Sequence, residues 1–150
     1  MRTYEDFTEG LEIDLGPYPV TRDEVIEFAR EFDPQPFHLD EAAAKDTLLG
    51  GLSASGWHSC AMMMRMMADA YILDSSSQGS PGVEYVRWKR PVRPGDVLRG
   101  TARVVSRRLS SKRPTLGILK ITTDLRNQTG ETVLESAYTL LVLTREGLAA

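Results

Sequence analysis

The spacing of hydrophobic residues predicts a helix early in the chain. Its apolar residues recur at i, i+3, i+4 and i+7, which places them on one helical face: Val25, Phe28, Ala29 and Phe32. Thr21 and Glu24 form a capping-box pattern at its start, in which each side chain bonds the backbone amide of the other. Pro34 and Pro36 end the helix, because proline lacks an amide hydrogen and disfavours helix in the residue before it.

A longer helix is predicted from Gly56 to about Leu73. Its apolar stripe consists of four methionines and an alanine: Met62, Met63, Met66, Met67 and Ala70. Since this helix is apolar around most of its circumference, we expect other elements to wrap it. Before it, Asp40 is placed to cap a short helix over residues 41–45, and two glycines at 50–51 mark a loop.

The remaining apolar pattern predicts β-strands. Leu11, Ile13 and Leu15 alternate with polar residues, which predicts an edge strand that Gly16-Pro17 closes. Four more strands are expected, the last of them covered on both faces, over residues 83–89, 97–106, 116–127 and 132–144. We therefore expect an α+β fold in a single domain, residues 1–150, with a curved antiparallel sheet of about five strands wrapped around the long central helix.

Composition narrows the class of protein. Of the 150 residues, 41% are hydrophobic and 26% are charged, as is usual for a soluble globular protein. The longest uncharged run, residues 47–64, contains a Gly-Gly pair and a histidine, and the N-terminal residues lack the apolar core of a signal peptide. We expect no membrane segment. The one cysteine cannot form an internal disulfide, which agrees with a cytoplasmic location.

The two halves of the chain carry opposite charge. Residues 1–75 hold 15 acidic and 5 basic residues and residues 76–150 hold 6 and 13, although the net charge is only −3. Three interpretations stay open: a polyanionic partner for the second half, an interface between the halves, or solvated strand faces. Nucleic acid is not an expected partner, because the chain is acidic overall and has no zinc-finger or aromatic-basic signature.

The first candidate for chemistry is the segment Asp33-Pro-Gln-Pro-Phe-His38. Its two prolines hold the intervening residues in a tight, non-helical path, which can present Asp33 and His38 toward one point. A carboxylate and an imidazole that converge on one water molecule form an acid/base pair, because histidine exchanges a proton near neutral pH. Alternatively, Asp33 caps a turn at the helix end and His38 packs in the loop.

The second candidate is the start of the long helix, Ser53-Ala-Ser-Gly-Trp-His58. Glycine lets a ligand approach the backbone closely, and the first amides of a helix have no acceptor within it. Such an end attracts negative charge, so the Gly56 amide suits a developing enolate oxygen. Alternatively, Ser55 or Gly56 only caps the helix. We expect His58 to pack beside Trp57.

Other catalytic motifs are absent from the sequence. Two histidines and one cysteine without an HExxH pattern leave no zinc site, and neither a GxSxG elbow nor a glycine-rich phosphate loop occurs. Cys60 is interpreted as a small core residue. Asp69 lies deeper in the long helix and is interpreted as a solvated or paired surface residue, although it could serve as the carboxylate of a thioesterase.

Three segments, in this order and spacing, resemble the MaoC-like dehydratase family, the (R)-specific enoyl-CoA hydratases of the hotdog fold. The first segment is the most specific of the three. They are Asp33-Pro-Gln-Pro-Phe-His38-Leu-Asp40, Leu49-Gly-Gly-Leu-Ser-Ala-Ser-Gly56-Trp-His58 and Val86-Arg-Trp-Lys-Arg-Pro91-Val-Arg-Pro-Gly95-Asp96.

The resemblance implies a hotdog fold that assembles as a homodimer or a dimer of dimers, with active sites near the interface. It also implies that Asp33 and His38 activate a water molecule and that the Gly56 amide donates to the thioester carbonyl. The expected reaction adds water across the double bond of a trans-2-enoyl-CoA. Coenzyme A is then part of the substrate, and no metal or redox cofactor is expected.

Further substrate contacts are expected from residues near these motifs. At the helix start they are Ser55, Trp57 and His58, and a basic cluster for the phosphates of coenzyme A consists of Arg87, Lys89, Arg90 and Arg93. Family members often carry a serine further along the central helix, near the dyad. Here residues 62–67 are five methionines and an arginine, which indicates a different acyl pocket or a weaker enzyme.

Two other functions stay open at this stage. A hotdog thioesterase would hydrolyse acyl-CoA with a carboxylate from the central helix, such as Asp69. A non-catalytic module that binds acyl thioesters would keep Gly56 and the basic cluster but would show neither activity.

Overall fold

The structure is a computed structural model that describes residues 1–150. Four α-helices are present: α1 (Arg22–Phe32), α2 (Glu41–Lys45), α3 (Gly56–Met67) and α4 (Arg145–Ala149). Five strands complete the fold: β1 (Glu12–Pro19), β2 (Val83–Trp88), β3 (Val97–Leu109), β4 (Leu116–Arg126) and β5 (Thr132–Leu143). Short 3₁₀ turns occur at Tyr4–Asp6 and Pro36–His38, and α3 continues into a π-helical turn, Ala68–Ile72.

Thr21 and Asp40 cap their helices as predicted, but one predicted capping bond is absent. Thr21 accepts the Glu24 amide with its side-chain oxygen at 3.3 Å, and Asp40 accepts the Ala43 amide at 2.8 Å. The other half of the predicted capping box is wrong. The Glu24 carboxylate instead accepts the Tyr18 hydroxyl and lies 3.2 Å from Nε2 of His58, because these partners of β1 and α3 pack beside it.

One antiparallel sheet contains all five strands in the order β1-β3-β4-β5-β2. The predicted edge position of the first strand is confirmed, but its predicted end at Gly16 is wrong. The strand continues to Pro19 through a register shift between Leu15 and Tyr18. Two features require glycine at position 16, where the register shifts. Its φ is +87°, and a Cβ there would lie 2.6 Å from the Leu98 carbonyl oxygen.

The core lies between the curved sheet and α3. Its central helix contributes four buried methionines, Met62, Met63, Met66 and Met67, and the π-helical turn adds the fully buried Tyr71. The strands contribute Leu98, Leu119, Leu125, Leu134 and Val142. The expected α+β hotdog arrangement, a sheet wrapped around a central helix, is thereby confirmed. No helix of the structure is both long and apolar enough to span a membrane.

Candidate active site

Asp33 and His38 come together where α1 ends. Asp33 is the residue that follows α1, and the chain turns back at once through the 3₁₀ turn Pro36–His38. Their side chains approach to 3.5 Å between Oδ2 of Asp33 and Nε2 of His38, and both are largely buried. This distance is too long for a strong hydrogen bond, so both atoms remain available to a third group between or beside them.

A backbone carbonyl fixes the orientation of the His38 ring. Nδ1 of His38 lies 2.7 Å from the carbonyl oxygen of Ser53. A carbonyl can only accept, so Nδ1 carries the proton in this bond. In the neutral ring, Nε2 is therefore the unprotonated nitrogen, and this is the atom that faces Asp33. In that tautomer, Nε2 of His38 can accept a proton on the side that faces Asp33.

Two side-chain donors hold the Asp33 carboxylate. The Ser55 hydroxyl donates to Oδ2 at 2.7 Å, and the side-chain amide of Gln35 donates to Oδ1 at 2.8 Å. The bond from Ser55, followed by that from Gln35 and the nearby His38, holds the pKa of Asp33 below its ordinary value, while burial acts in the opposite direction. Because the ordinary pKa of 3.8 is itself well below 7, Asp33 is ionised at neutral pH.

Gly56 begins α3, as predicted, and its amide has no acceptor within the chain. The indole of Trp88 packs on this glycine: a Cβ there would lie 2.7 Å from two atoms of the ring. The indole N–H of Trp88 also donates to the Gly56 carbonyl at 2.8 Å. Glycine is therefore required here for the close approach of Trp88, a reason that the sequence analysis did not contain.

The dyad opens into a cavity of about 720 Å³. Its walls bring together most of the predicted site residues, among them Asp33, His38, Gly56, Trp57, Lys89 and Arg90. Trp57 also lines a second cavity of about 320 Å³ with mostly apolar walls that include Met63, Met64 and Met67. The methionine-rich stretch of α3 thus contributes to this apolar cavity rather than to the dyad.

The predicted basic cluster is not assembled at one place. Lys89 and Arg90 line the dyad cavity, although Arg90 also pairs with Glu131 at 2.7 Å. Arg87 lies outside this lining: its guanidinium stacks 4.0 Å above the Tyr85 ring, because alternate strand residues share a face. Arg93 donates to the carbonyls of Leu49 and Leu52, so it holds the loop before α3.

Two more residues of the helix start differ from expectation. Ser55 makes no capping bond, because its hydroxyl is directed to Asp33. His58 does not pack beside Trp57 and does not line the dyad cavity. Its ring stacks on Phe28 of α1 at 4.6 Å, since successive helical residues point about 100° apart. Burial lowers the pKa of His58, although Glu24 opposes the shift.

The two remaining candidates lie away from the dyad. Asp69 is exposed and pairs with Arg65 at 2.9 Å, which confirms the prediction of a paired surface residue. Cys60 is half-buried and lines the apolar cavity, and burial raises the pKa of its thiol. No group of three or more His, Cys, Asp or Glu side chains is arranged to hold a metal ion.

The sequence analysis missed three contributors to the site: Gln35, the Ser53 carbonyl and Trp88. Gln35 lies within the dyad segment, and its position two residues after Asp33 was the available signal. The Ser53 and Trp88 contacts join residues 15 and 32 positions apart. No local pattern predicts such pairs.

Comparison with known proteins places this site in a family. The family model of the MaoC-like domain matches residues 8–124. The chain therefore belongs to the MaoC-like domain family, and the resemblance of its three segments is confirmed.

Individual relatives agree with this assignment. The crystal structure of the MaoC-like dehydratase from Rhodospirillum rubrum has 37% identity and a TM-score of 0.90, over 97% of this chain and 99% of that one. The uncharacterized protein YdeM of Bacillus subtilis (strain 168) is 28% identical over 92% of this chain and 96% of its own. The R-hydratase PhaJ1 from Pseudomonas aeruginosa shares the fold, with 22% identity, a TM-score of 0.73 and coverage of 95% and 86%.

Proposed function

We propose that the protein is an (R)-specific enoyl-CoA hydratase, which adds water to a trans-2-enoyl thioester and removes it in the reverse direction. The observation that carries this proposal is the apposition of the Asp33 carboxylate and Nε2 of His38 in one cavity, with the other ring nitrogen of His38 held by the Ser53 carbonyl. Membership of a family whose solved relatives include a MaoC-like dehydratase supports a hydro-lyase.

In the proposed reaction, the dyad holds one water molecule beside C3 of the substrate. Nε2 of His38 takes a proton from this water, and Asp33 accepts a hydrogen bond from it. The water oxygen forms a bond to C3, the C2–C3 π bond breaks, and a proton passes from the dyad to C2. The product is a 3-hydroxyacyl thioester. No electrons are transferred to or from the substrate, so the reaction requires no redox cofactor.

The Gly56 amide is proposed to stabilise the transition state. Negative charge develops on the thioester oxygen as the water oxygen attacks, and a free amide at the start of α3 is a suitable donor. Trp88 supports this role because its bond to the Gly56 carbonyl fixes the backbone of the residue whose amide is the proposed donor. The same residue closes one wall of the cavity.

We propose separate sites for the phosphates and the acyl chain of the thioester, from the chemistry of the side chains that line the two cavities. Lys89 and Arg90 at the dyad cavity suit the phosphates of coenzyme A. The apolar cavity beyond Trp57, with its methionine walls, suits the acyl chain, since methionine adapts to varied apolar shapes. We propose acyl-CoA thioesters as the substrates on this ground.

A pair of substrates tests the reaction class. With crotonyl-CoA, we expect the protein to cause loss of the conjugated-enoyl absorbance. With saturated butyryl-CoA, we expect no release of free thiol, because Asp69, the carboxylate that a thioesterase would need on the central helix, is paired at the surface. Thiol release without hydration would instead favour a thioesterase. Binding of both substrates without turnover would favour a non-catalytic module.

A further inference from the structure

We propose that Ser55 is a positioning residue for Asp33, rather than a helix cap or a substrate contact. This inference rests on the proposed function, because Asp33 is the carboxylate of the dyad. The proposal assigns Ser55 the task of holding Oδ2 of the Asp33 carboxylate in place, turned toward Nε2 of His38.

The first observation is the bond itself. The hydroxyl of Ser55 donates to Oδ2 of Asp33 at 2.7 Å, across 22 residues of sequence. Oδ2 is also the oxygen that lies 3.5 Å from Nε2 of His38. Ser55 therefore acts on the oxygen that faces the histidine, while Gln35 holds the other oxygen.

The second observation is that the Ser55 side chain does not cap the helix that it precedes. It is the N-cap residue of α3, the position where serine ordinarily accepts a helix amide. Its side chain makes no capping bond, and the bond to Asp33 is the one hydrogen bond of its hydroxyl. Ser55 is also completely buried, so no water competes for this donor.

The third observation concerns the neighbouring helix. Residues 62–67 of α3 carry no hydroxyl group, and the sulfur atoms of Met63 and Met67 contact Ser136 and Thr123 of the sheet. The one other donor side chain of this stretch, Arg65, pairs with Asp69, so residues 62–67 supply no donor to Asp33. The start of α3, through Ser55, is the part of the central helix that does.

The variant Ser55→Ala tests the proposal with two measurements. The first is the pKa of the Asp33 carboxyl group, followed by ¹³C NMR of labelled aspartate and assigned with Asp33→Asn. We expect this pKa to rise toward its ordinary value, because loss of a donor destabilises the charged form. The second is the kinetics of crotonyl-CoA hydration, in which we expect kcat to fall by about 10- to 100-fold with little change in KM.

Ser76→Ala is the matched control. Ser76 is also buried and its hydroxyl also donates to a single acceptor, the Leu143 carbonyl at 3.0 Å, but it lines neither cavity. We expect this variant to match the unmodified protein in both measurements. Ser55→Cys serves if Ser55→Ala does not fold, because a thiol of similar shape is a weaker donor and should change both quantities in the same direction.

Each outcome decides a separate claim. A raised Asp33 pKa together with a reduced kcat supports the positioning role. An active protein whose Ser55 variants keep both the pKa of Asp33 and kcat overturns that role and leaves the proposed function intact. If the unmodified protein hydrates no enoyl thioester, the proposed function fails and the catalytic role of Ser55 fails with it.

Discussion

Hydrogen bonds of single residues determine what the dyad can do. The Ser53 carbonyl selects the His38 tautomer whose Nδ1 carries the proton, and the Ser55 hydroxyl holds Oδ2 of Asp33 and lowers its pKa. The sequence analysis named Ser55 as a cap or a substrate contact, but it predicted neither of these two hydrogen bonds. The prolines around Gln35 predicted that Asp33 and His38 meet, because that effect is local. The partners that orient them come from a segment at least 15 residues further along the chain.

We predict that replacing Gly56 with alanine destabilises the protein. In Gly56→Ala the new Cβ would overlap the Trp88 indole, so the ring must move and its bond to the Gly56 carbonyl must weaken. Overpacking costs roughly 1–3 kcal/mol, and the better helix propensity of alanine returns at most about 1 kcal/mol. We expect the free energy of unfolding, measured in urea, to fall by about 1 kcal/mol.

Gly82→Ala is the control for this variant. A Cβ at Gly82 meets nothing within 4 Å, and its φ is not in the left-handed region. We expect this variant to unfold like the unmodified protein. Equal stability of the two variants, with unchanged tryptophan fluorescence in Gly56→Ala, would show that Trp88 does not require glycine at position 56.

At the scale of elements, the sequence predicted what periodicity determines. The central helix was predictable because its apolar residues recur with the helical period, and α3 with its π-helical turn ends one residue before the predicted Leu73. Strand β3 extends to Leu109, past the predicted end at residue 106, because its last residues are polar or exposed and show no apolar alternation. Pairing with β4 keeps them in the sheet.

His58 of α3, which stacks on Phe28 of α1, should make the stability of the protein depend on pH. Burial lowers the pKa of His58 below its ordinary value of 6.5 in the folded state. As the pH falls through 6.5, the unfolded chain binds a proton that the folded chain resists, so stability decreases. We expect the free energy of unfolding to fall more between pH 7.5 and about pH 5.5 in the unmodified protein than in His58→Phe.

His58→Phe keeps an aromatic ring against Phe28 and removes the titrating group. Glu24 loses its contact with Nε2 of His58 in this variant and the other groups keep their surroundings, so the difference between the two pH dependences reports on the pair of His58 and Glu24. An identical pH dependence in both would mean that the pKa of His58 is not lowered by folding.

At the scale of the whole molecule, the five-stranded sheet has two edge strands, β1 and β2, and the second of these is the more apolar at its ends. β2 is the last strand in the sheet order, and Val83 at its start and Trp88 at its end are both exposed. An unpaired apolar edge strand invites pairing with another strand. The basic cluster, in contrast, was not predictable as a unit, because strand alternation and loop contacts separate its members.

We expect the protein to be a homodimer that pairs through β2. Sedimentation equilibrium should give twice the chain mass of 16.7 kDa. Val83→Asp places a charge on this edge and should shift the mass toward one chain. Val105→Asp changes an equally apolar, exposed residue on β3 and should leave the dimer intact. A monomeric unmodified protein, or equal behaviour of both variants, would contradict an interface at β2.

Hydration of crotonyl-CoA by variants of Asp33 and His38 shows whether this pair carries out the proposed reaction. Asp33→Asn and His38→Ala should each lower kcat/KM by at least about 100-fold, because each removes a group that moves or orients the proton of the attacking water. Asp74→Asn makes the same change at an exposed carboxylate and should leave kcat/KM unaltered. Undiminished hydration by folded Asp33→Asn and His38→Ala would contradict the assignment of the dyad.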